Sequence, residues 1–119
     1  MSIRWDDVRP GSVVDAALGA PPATVGREIQ KHRPCVVMAA MPPLGLLMVV
    51  PISKGRPKVM GYTNVELEPD KINGLKDLCF GQCHQLRAID LARVTKLRGQ
   101  LDPMTYVRFK RTLSRLLGI

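Results

Sequence analysis

Two near-continuous apolar runs, Pro34–Ala40 and Leu44–Ile52, joined by Met41-Pro42-Pro43, dominate the pattern along the chain. Runs without polar alternation mark strands buried on both faces, so these predict two neighbouring central strands in a hairpin. Upstream, Pro10-Gly11 marks a turn and Ser12–Leu18 reads as a first strand. Residues 19–33, with Gly19, Pro21, Pro22 and Gly26, form a long loop, and loops of that length in a compact domain are more often functional than decorative. Downstream, Lys54–Lys58 is a basic loop that cannot extend the strand, because Pro57 lacks a ladder donor. Met60–Leu67 alternates and predicts another strand, Pro69–Gly74 a turn region, and Asp77–Ile89 a long strand. A single helical turn is expected at Asp90–Arg93, ahead of Val94–Leu97. The C-terminal segment is the clearest local pattern. Asp102 can cap a helix, Pro103 suits its first position, Tyr106, Phe109, Leu113, Leu116 and Leu117 recur at helical spacing, and Gly118 stops it.

Several short strands with one terminal helix predict a mainly β (α+β) fold, a small half-open antiparallel barrel whose partner layer is that helix. The 119 residues fit one domain spanning 1–119, with residues 1–9 as a flexible polar arm. With 45% hydrophobic residues but only five aromatic ones, the core must be built mainly from aliphatic side chains.

Charge changes the picture next. The net charge of +8 is uneven: residues 1–53 hold five Lys/Arg against four Asp/Glu, whereas 54–119 hold thirteen against six. Such an excess favours polyanions, nucleic acid first and anionic lipid second. An odd cysteine count (Cys35, Cys79, Cys83) and an opening stretch with no apolar signal region place the protein in the reducing cytoplasm. The longest apolar run is nine residues, against the roughly 20 needed to cross a bilayer, so no membrane association is expected.

The candidate chemistry gathers at the two ends of the hairpin. Glu28, His32 and Arg33 bring a carboxylate, an imidazole and a guanidinium into one short turn, and Ser53 and Lys54 add a hydroxyl and an ammonium at the far end. That set suits phosphate handling; it equally suits an ordinary solvated loop. Arg108, Lys110, Arg111 and Arg115 fall mostly off the apolar stripe of the terminal helix and face solvent, an acidic partner or RNA. His32-x2-Cys35 and Cys79-x3-Cys83-His84 offer five potential metal ligands, but both segments read as extended strands rather than tight knuckles. The cysteines are therefore read as small buried hydrophobes, and neither a metal nor a cofactor is expected.

Four segments in order, Gly26-x-Glu28-x3-His32-Arg33-Pro34, Val50-Pro51-Ile52-Ser53, Cys83-His84-Gln85-Leu86-Arg87-Ala88-Ile89-Asp90 and Gly99-Gln100-Leu101 leading into a helix, resemble the MazF/PemK (Kid-like) toxins. The resemblance covers Pro10 to Ile119. It implies an SH3-like barrel that forms a homodimer, cleaves single-stranded RNA without a metal, and is silenced by a cognate antitoxin. It also implies roles. The family's phosphate-binding arginine matches Arg33, its strand-end hydroxyl, commonly threonine, matches Ser53, its first-loop glutamate matches Glu28, and the histidine of some members matches His32. An acidic residue proposed as the base in some relatives is replaced here by His84. Gln85 and Arg87 become candidates for RNA contact, and Lys54, Arg56 and Lys58 fall in a loop that closes over substrate in the family. The chain departs from the family at Asp15, Ser12 and the longer Pro21-Pro22 loop, which bears on groove shape and cleavage sequence.

Cleavage of RNA without a metal can use the substrate's 2′-hydroxyl as nucleophile, given one group to take its proton and another to protonate the leaving 5′-oxygen. Arg33 suits phosphate oxygens as a planar donor, and Ser53 can add a hydroxyl bond. His84, His32 and Glu28 are all candidates for the base; His84 is favoured, with Arg33 as acid or transition-state stabiliser. Arg33 can also be an ion-pair partner of Glu28, and Ser53 can simply end a strand. Two alternatives from other classes remain: a CcdB-like gyrase-poisoning toxin, whose C-terminal tip Leu116-Leu117-Gly118-Ile119 resembles without its tryptophan, and a basic nucleic-acid-binding module.

Overall fold

The computed structural model describes residues 2–19, 31–55 and 63–119. Seven strands precede one helix: β1 (Ser12–Ala17), β2 (His32–Met41), β3 (Leu46–Ser53), β4 (Asn64–Leu67), β5 (Cys79–Gln82), β6 (Arg87–Asp90), β7 (Val94–Gln100) and α1 (Pro103–Leu117). They form an antiparallel sheet in the order β4-β5-β3-β2-β1-β7, with β6 also paired to β3. The sheet does not close, so the expected half-open barrel with a terminal helix is what the chain forms. No helix among the described residues is long and apolar enough to cross a membrane.

The two apolar runs become β2 and β3, and the reason they lack alternation is visible in the core. Val13, Val36 and Val50 point to one cluster, which includes Val65, Leu67, Leu101 and Phe109. Val14, Cys35, Val37 and Val49 point to a second, on the opposite face, with Leu47, Ile89 and Val94. Both faces of the central strands are thus covered, by α1 on one side and by Ile3 and Trp5 of the N-terminal segment on the other. Register shifts between Val37 and Ala39, between Val13 and Val14, and between Asp15 and Ala16 add the local twist that curls the sheet.

The single long strand expected over Asp77–Ile89 is instead two strands. Cys83–Gln85 forms a 3-10 turn, with the Cys83 amide donating to the Thr63 carbonyl at 2.9 Å. The break arises because β3 changes partner along its length. Leu46–Val49 pair with β6, whereas Ile52 and Ser53 pair with β5, so the returning chain must step between the two. Smaller boundaries also move: β2 begins at His32, so His32 and Arg33, expected in the long loop, are strand residues paired with Ala17 and Ala16 of β1. Pro42–Leu44 forms a 3-10 turn before β3, and β7 runs on to Gln100.

At the terminal helix, Asp102 accepts from the Thr105 amide at 2.9 Å and from its hydroxyl at 2.7 Å, Pro103 occupies the first turn, and Gly118 ends the helix at φ 71°. Tyr106, Phe109, Leu113 and Leu116 pack on the core, but Leu117 is exposed and buried Thr112 takes part in the stripe instead. Phe109 lies directly over Gly81 of β5: a Cβ there would stand 2.4 Å from two ring carbons.

The hydrogen bonds of the cap, led by the Thr105 amide, hold the Asp102 carboxyl below its ordinary value of 3.8. Its folded form therefore favours the carboxylate. The stabilisation is present above the unfolded value and is lost as pH falls through the lower folded one. Asp102→Ala is expected to cost about 1 kcal/mol at pH 7. In thermal melts followed from pH 7 into acid, the gap between Asp102→Ala and the parent should close below about pH 3.8; a gap constant into strong acid would refute this role.

Candidate functional site

Antiparallel pairing places the beginning of β2 beside the end of β3. Cys35 faces Pro51 as the last pair of the β2–β3 register, and Arg33 and Ser53, each two residues further out, both line the open end of the hairpin. There the surface opens into a groove of about 670 Å³. It is lined by His32, Arg33, Pro34, Ile52, Ser53, Lys54 and Gly55 from the hairpin and by Leu75, Lys76, Asp77, Cys79, Gln82, Gln85 and Arg98 from later segments. Among these described residues Arg33, Lys54, Lys76 and Arg98 stand against one carboxylate, Asp77. A concave surface with that balance raises the local concentration of anions.

Several of the polar side chains are held by a neighbouring element. Ser53, half-buried, accepts a hydrogen bond at Oγ from the Gln82 side-chain amide. His32 Nε2 lies 2.5 Å from Thr95 Oγ1 on β7, which ties the imidazole to the neighbouring sheet edge. Lys54 and Asp77 form an exposed ion pair at 3.1 Å across the mouth. Arg98 is the most firmly fixed. Its Nε meets the Asp15 carboxylate at 2.5 Å with only 9% of that side chain exposed, and it also donates to the Gly74 carbonyl at 3.0 Å.

The wall that carries Leu75, Lys76 and Asp77 is built by local hydrogen bonds. Asp70 Oδ1 accepts from the Ile72 and Asn73 amides, each at 2.8 Å. Buried Asn73 accepts from the Leu75 amide at 2.9 Å and donates to the Glu68 carbonyl at 2.9 Å. That turn lies hard against β7. A Cβ on Gly74 would come within 2.3 Å of the Arg98 carbonyl oxygen, and one on Gly99 within 2.0 Å of the Ile72 carbonyl oxygen. Only glycine permits this approach at both places.

Of the residues singled out in the sequence, His32, Arg33, Ser53, Lys54 and Gln85 come together in the groove. His84 stands exposed on the 3-10 turn, next to Gln85 but outside the lining. Arg87 donates to the Leu18 carbonyl at 3.2 Å and so fastens β6 to the end of β1. Glu28, Arg56 and Lys58 lie outside the described residues. The groove also holds Gln82, Lys76 and Arg98, which no sequence motif marks. Gln82 did carry a signal, as a polar residue in an otherwise apolar strand, and so did Asp15, a charge within β1 that implies a buried partner.

The cysteines behave as the hydrophobes they were read to be. Burial pushes the Cys35 and Cys83 thiols up to about 12. Cys79, at the groove, is also raised, first by burial and then by Asp77, and its Sγ donates to the Asp77 carbonyl at 3.1 Å. None is poised as a thiolate nucleophile near neutral pH. Among the described residues no three His, Cys, Asp or Glu side chains are grouped to hold a metal ion.

Known proteins give this arrangement a context. No curated protein sequence matches the chain. Among solved structures, MazF (Form-I) from Deinococcus radiodurans is similar at 21% identity with a TM-score of 0.70, over 92% of this chain and 94% of that one. Mycobacterium tuberculosis toxin MazF-mt6 is similar at 17% identity and a TM-score of 0.68, over 91% and 97%. A mycobacterial endoribonuclease in complex with its cognate antitoxin is similar at 15% identity and 0.69, over 92% and 93%. At such identities these structures share the fold. A family model goes further, because the one for the PemK-like, MazF-like toxin of type II toxin-antitoxin systems matches residues 9–117. With nearly the whole chain matched, and its half-open barrel shared with MazF toxins, the protein belongs to the PemK/MazF-like toxin family of type II toxin-antitoxin systems.

Proposed function

We propose that this toxin-family chain is an endoribonuclease that cleaves single-stranded RNA without a metal, and so inhibits translation and growth until a cognate antitoxin binds it. The observation that carries the reading is the meeting of Arg33 and Ser53 at the open end of one hairpin, inside a groove rich in cations. In the proposed reaction the 2′-oxygen of the substrate attacks the adjacent phosphorus while a base removes its proton. The bond from phosphorus to the 5′-oxygen breaks, that oxygen takes up a proton, and a 2′,3′-cyclic phosphate is left.

In this scheme Arg33 binds the non-bridging oxygens and stabilises the charge that builds on them, and Ser53 adds a hydroxyl donor. The base is drawn from His84, His32 and Glu28. His32 lines the groove beside Arg33, and His84 adjoins Gln85, which lines it too. Lys54, with Arg56 and Lys58 following it in the sequence, tracks the RNA backbone, and Gln85 completes the proposed substrate contacts, whereas Arg87, outside the groove lining and bonded to the Leu18 carbonyl, is left to the fold. The partners proposed are single-stranded RNA, an antitoxin and a second copy of the chain, working in the cytoplasm. The antitoxin is supported by the similar fold of a mycobacterial endoribonuclease solved with its own.

The test is to incubate a long RNA with the purified protein in EDTA at low salt and map the ends by primer extension. Cleavage at preferred sites leaving 2′,3′-cyclic phosphate ends is the expected result. Intact RNA, or ends bearing a 3′-hydroxyl, would refute it.

A further inference from the structure

Ser53 is the last residue of β3 and faces Phe80 of β5. Gln82 lies two residues beyond Phe80, hence on the same face of the sheet, where a long side chain reaches its diagonal neighbour. Its amide Nε2 donates to Ser53 Oγ. The backbone of Gln82 is fixed from the other side, opposite Asn64 of β4.

A serine hydroxyl has one proton to give and two lone pairs to receive. A strand-end serine commonly gives that proton back to nearby backbone, which would remove it from any ligand. An amide N–H directed at Oγ occupies a lone pair and leaves the proton free to turn elsewhere. The one carboxylate among the lining residues, Asp77, is engaged by Lys54 at 3.1 Å, and Ser53 lines the same groove as Arg33. We infer that Gln82 is a positioning residue that presents the Ser53 hydroxyl as a hydrogen-bond donor to a phosphate oxygen of bound RNA. This rests on the RNA-cleaving reading above. Neutrality is part of the design. A carboxylate at this position would accept the Ser53 proton instead of supplying one, and would face the phosphate with like charge.

The experiment compares the parent with Gln82→Leu, Gln82→Glu, Ser53→Ala and the double variant Ser53→Ala/Gln82→Leu. Two quantities are read: cleavage kinetics on a short RNA, and the affinity of a 2′-O-methyl oligonucleotide that cannot be cleaved. Gln82→Leu should lower kcat about tenfold with KM little changed, and should add nothing in the Ser53→Ala background. Gln82→Glu should be slower than Gln82→Leu near neutral pH and recover as pH falls through the glutamate's titration, because the protonated carboxyl can donate as the amide does. A purely structural glutamine would show neither the acid recovery nor the loss of effect without Ser53. Losses that add in the double variant, or a Gln82→Glu enzyme with the parent's activity and pH profile, overturn the inference. Should the parent bind the oligonucleotide but cleave no RNA, the nuclease reading falls by itself. The two substitutions are then judged by affinity, where coupling supports the Gln82–Ser53 unit and additivity refutes it. Absence of binding by the parent overturns both.

Discussion

Arg33→Ala should lower the rate of RNA cleavage by about three orders of magnitude. The size follows from the position of the side chain. Arg33 lies at the outer end of β2, alongside Ser53 in the groove, and its chemistry is the one best matched to charge building on phosphate oxygens. Its removal leaves Lys76, with Lys54 and Arg98 in their ion pairs, to attract RNA, so KM should rise less than kcat falls. Arg33→Lys should restore only a small part, because an ammonium keeps the charge but not the planar pair of donors. Single-turnover cleavage of a short fluorogenic RNA gives the measurement. An Arg33→Ala enzyme within about threefold of the parent would remove the arginine from the chemistry, since even one lost oxyanion donor commonly costs a hundredfold.

The second large effect is on stability. Gly81 stands in the middle of β5, opposite Ile52 on one side and Val65 on the other, one residue before Gln82. An added Cβ would meet Cε1 and Cζ of Phe109 at 2.4 Å, and that ring is fully buried. The ring cannot swing aside without disturbing the cluster it anchors, so Gly81→Ala should cost about 3 kcal/mol, at the upper end of ordinary overpacking. In a domain of this size that is a fall in Tm of roughly 10 °C. Phe109→Leu costs stability alone by leaving a cavity, but combined with Gly81→Ala it makes room for the methyl. The double variant should therefore be more stable than the two single losses predict. A Gly81→Ala protein that melts with the parent would show that α1 can lift from β5 at little cost.

How far the sequence disclosed these features depends on the distance over which each is specified. The terminal helix was legible because its cap, its proline, its apolar spacing and its glycine all lie within one short segment. The nearness of Arg33 and Ser53 was legible for a related reason: two unbroken apolar runs with a tight connection set an antiparallel register, and register brings strand ends together. The break at Cys83–Gln85 carried no such mark, having neither glycine nor proline. Its cause is the change of partner along β3, a property of the assembled sheet. The Asp15–Arg98 pair spans 83 positions, so a charge in each segment signalled a missing partner without naming it. The closeness of Gly74 and Gly99 to the opposing backbone is likewise a tertiary fact, since nothing adjacent to either glycine distinguishes it from a turn residue.

The pairing of β1 with β7 also bears on how the molecule comes into being during synthesis. The hairpin of β2 and β3 can form as soon as residue 53 has left the ribosome, because its contacts are local. The groove beside it cannot. Arg98, which joins Asp15 to the Gly74 carbonyl, arrives on the second strand to pair with β1, and Phe109 follows on the helix that packs over β5. The lining that Arg98 contributes, and the packing of Phe109 over Gly81, are thus completed only once residues 98 and 109 have emerged.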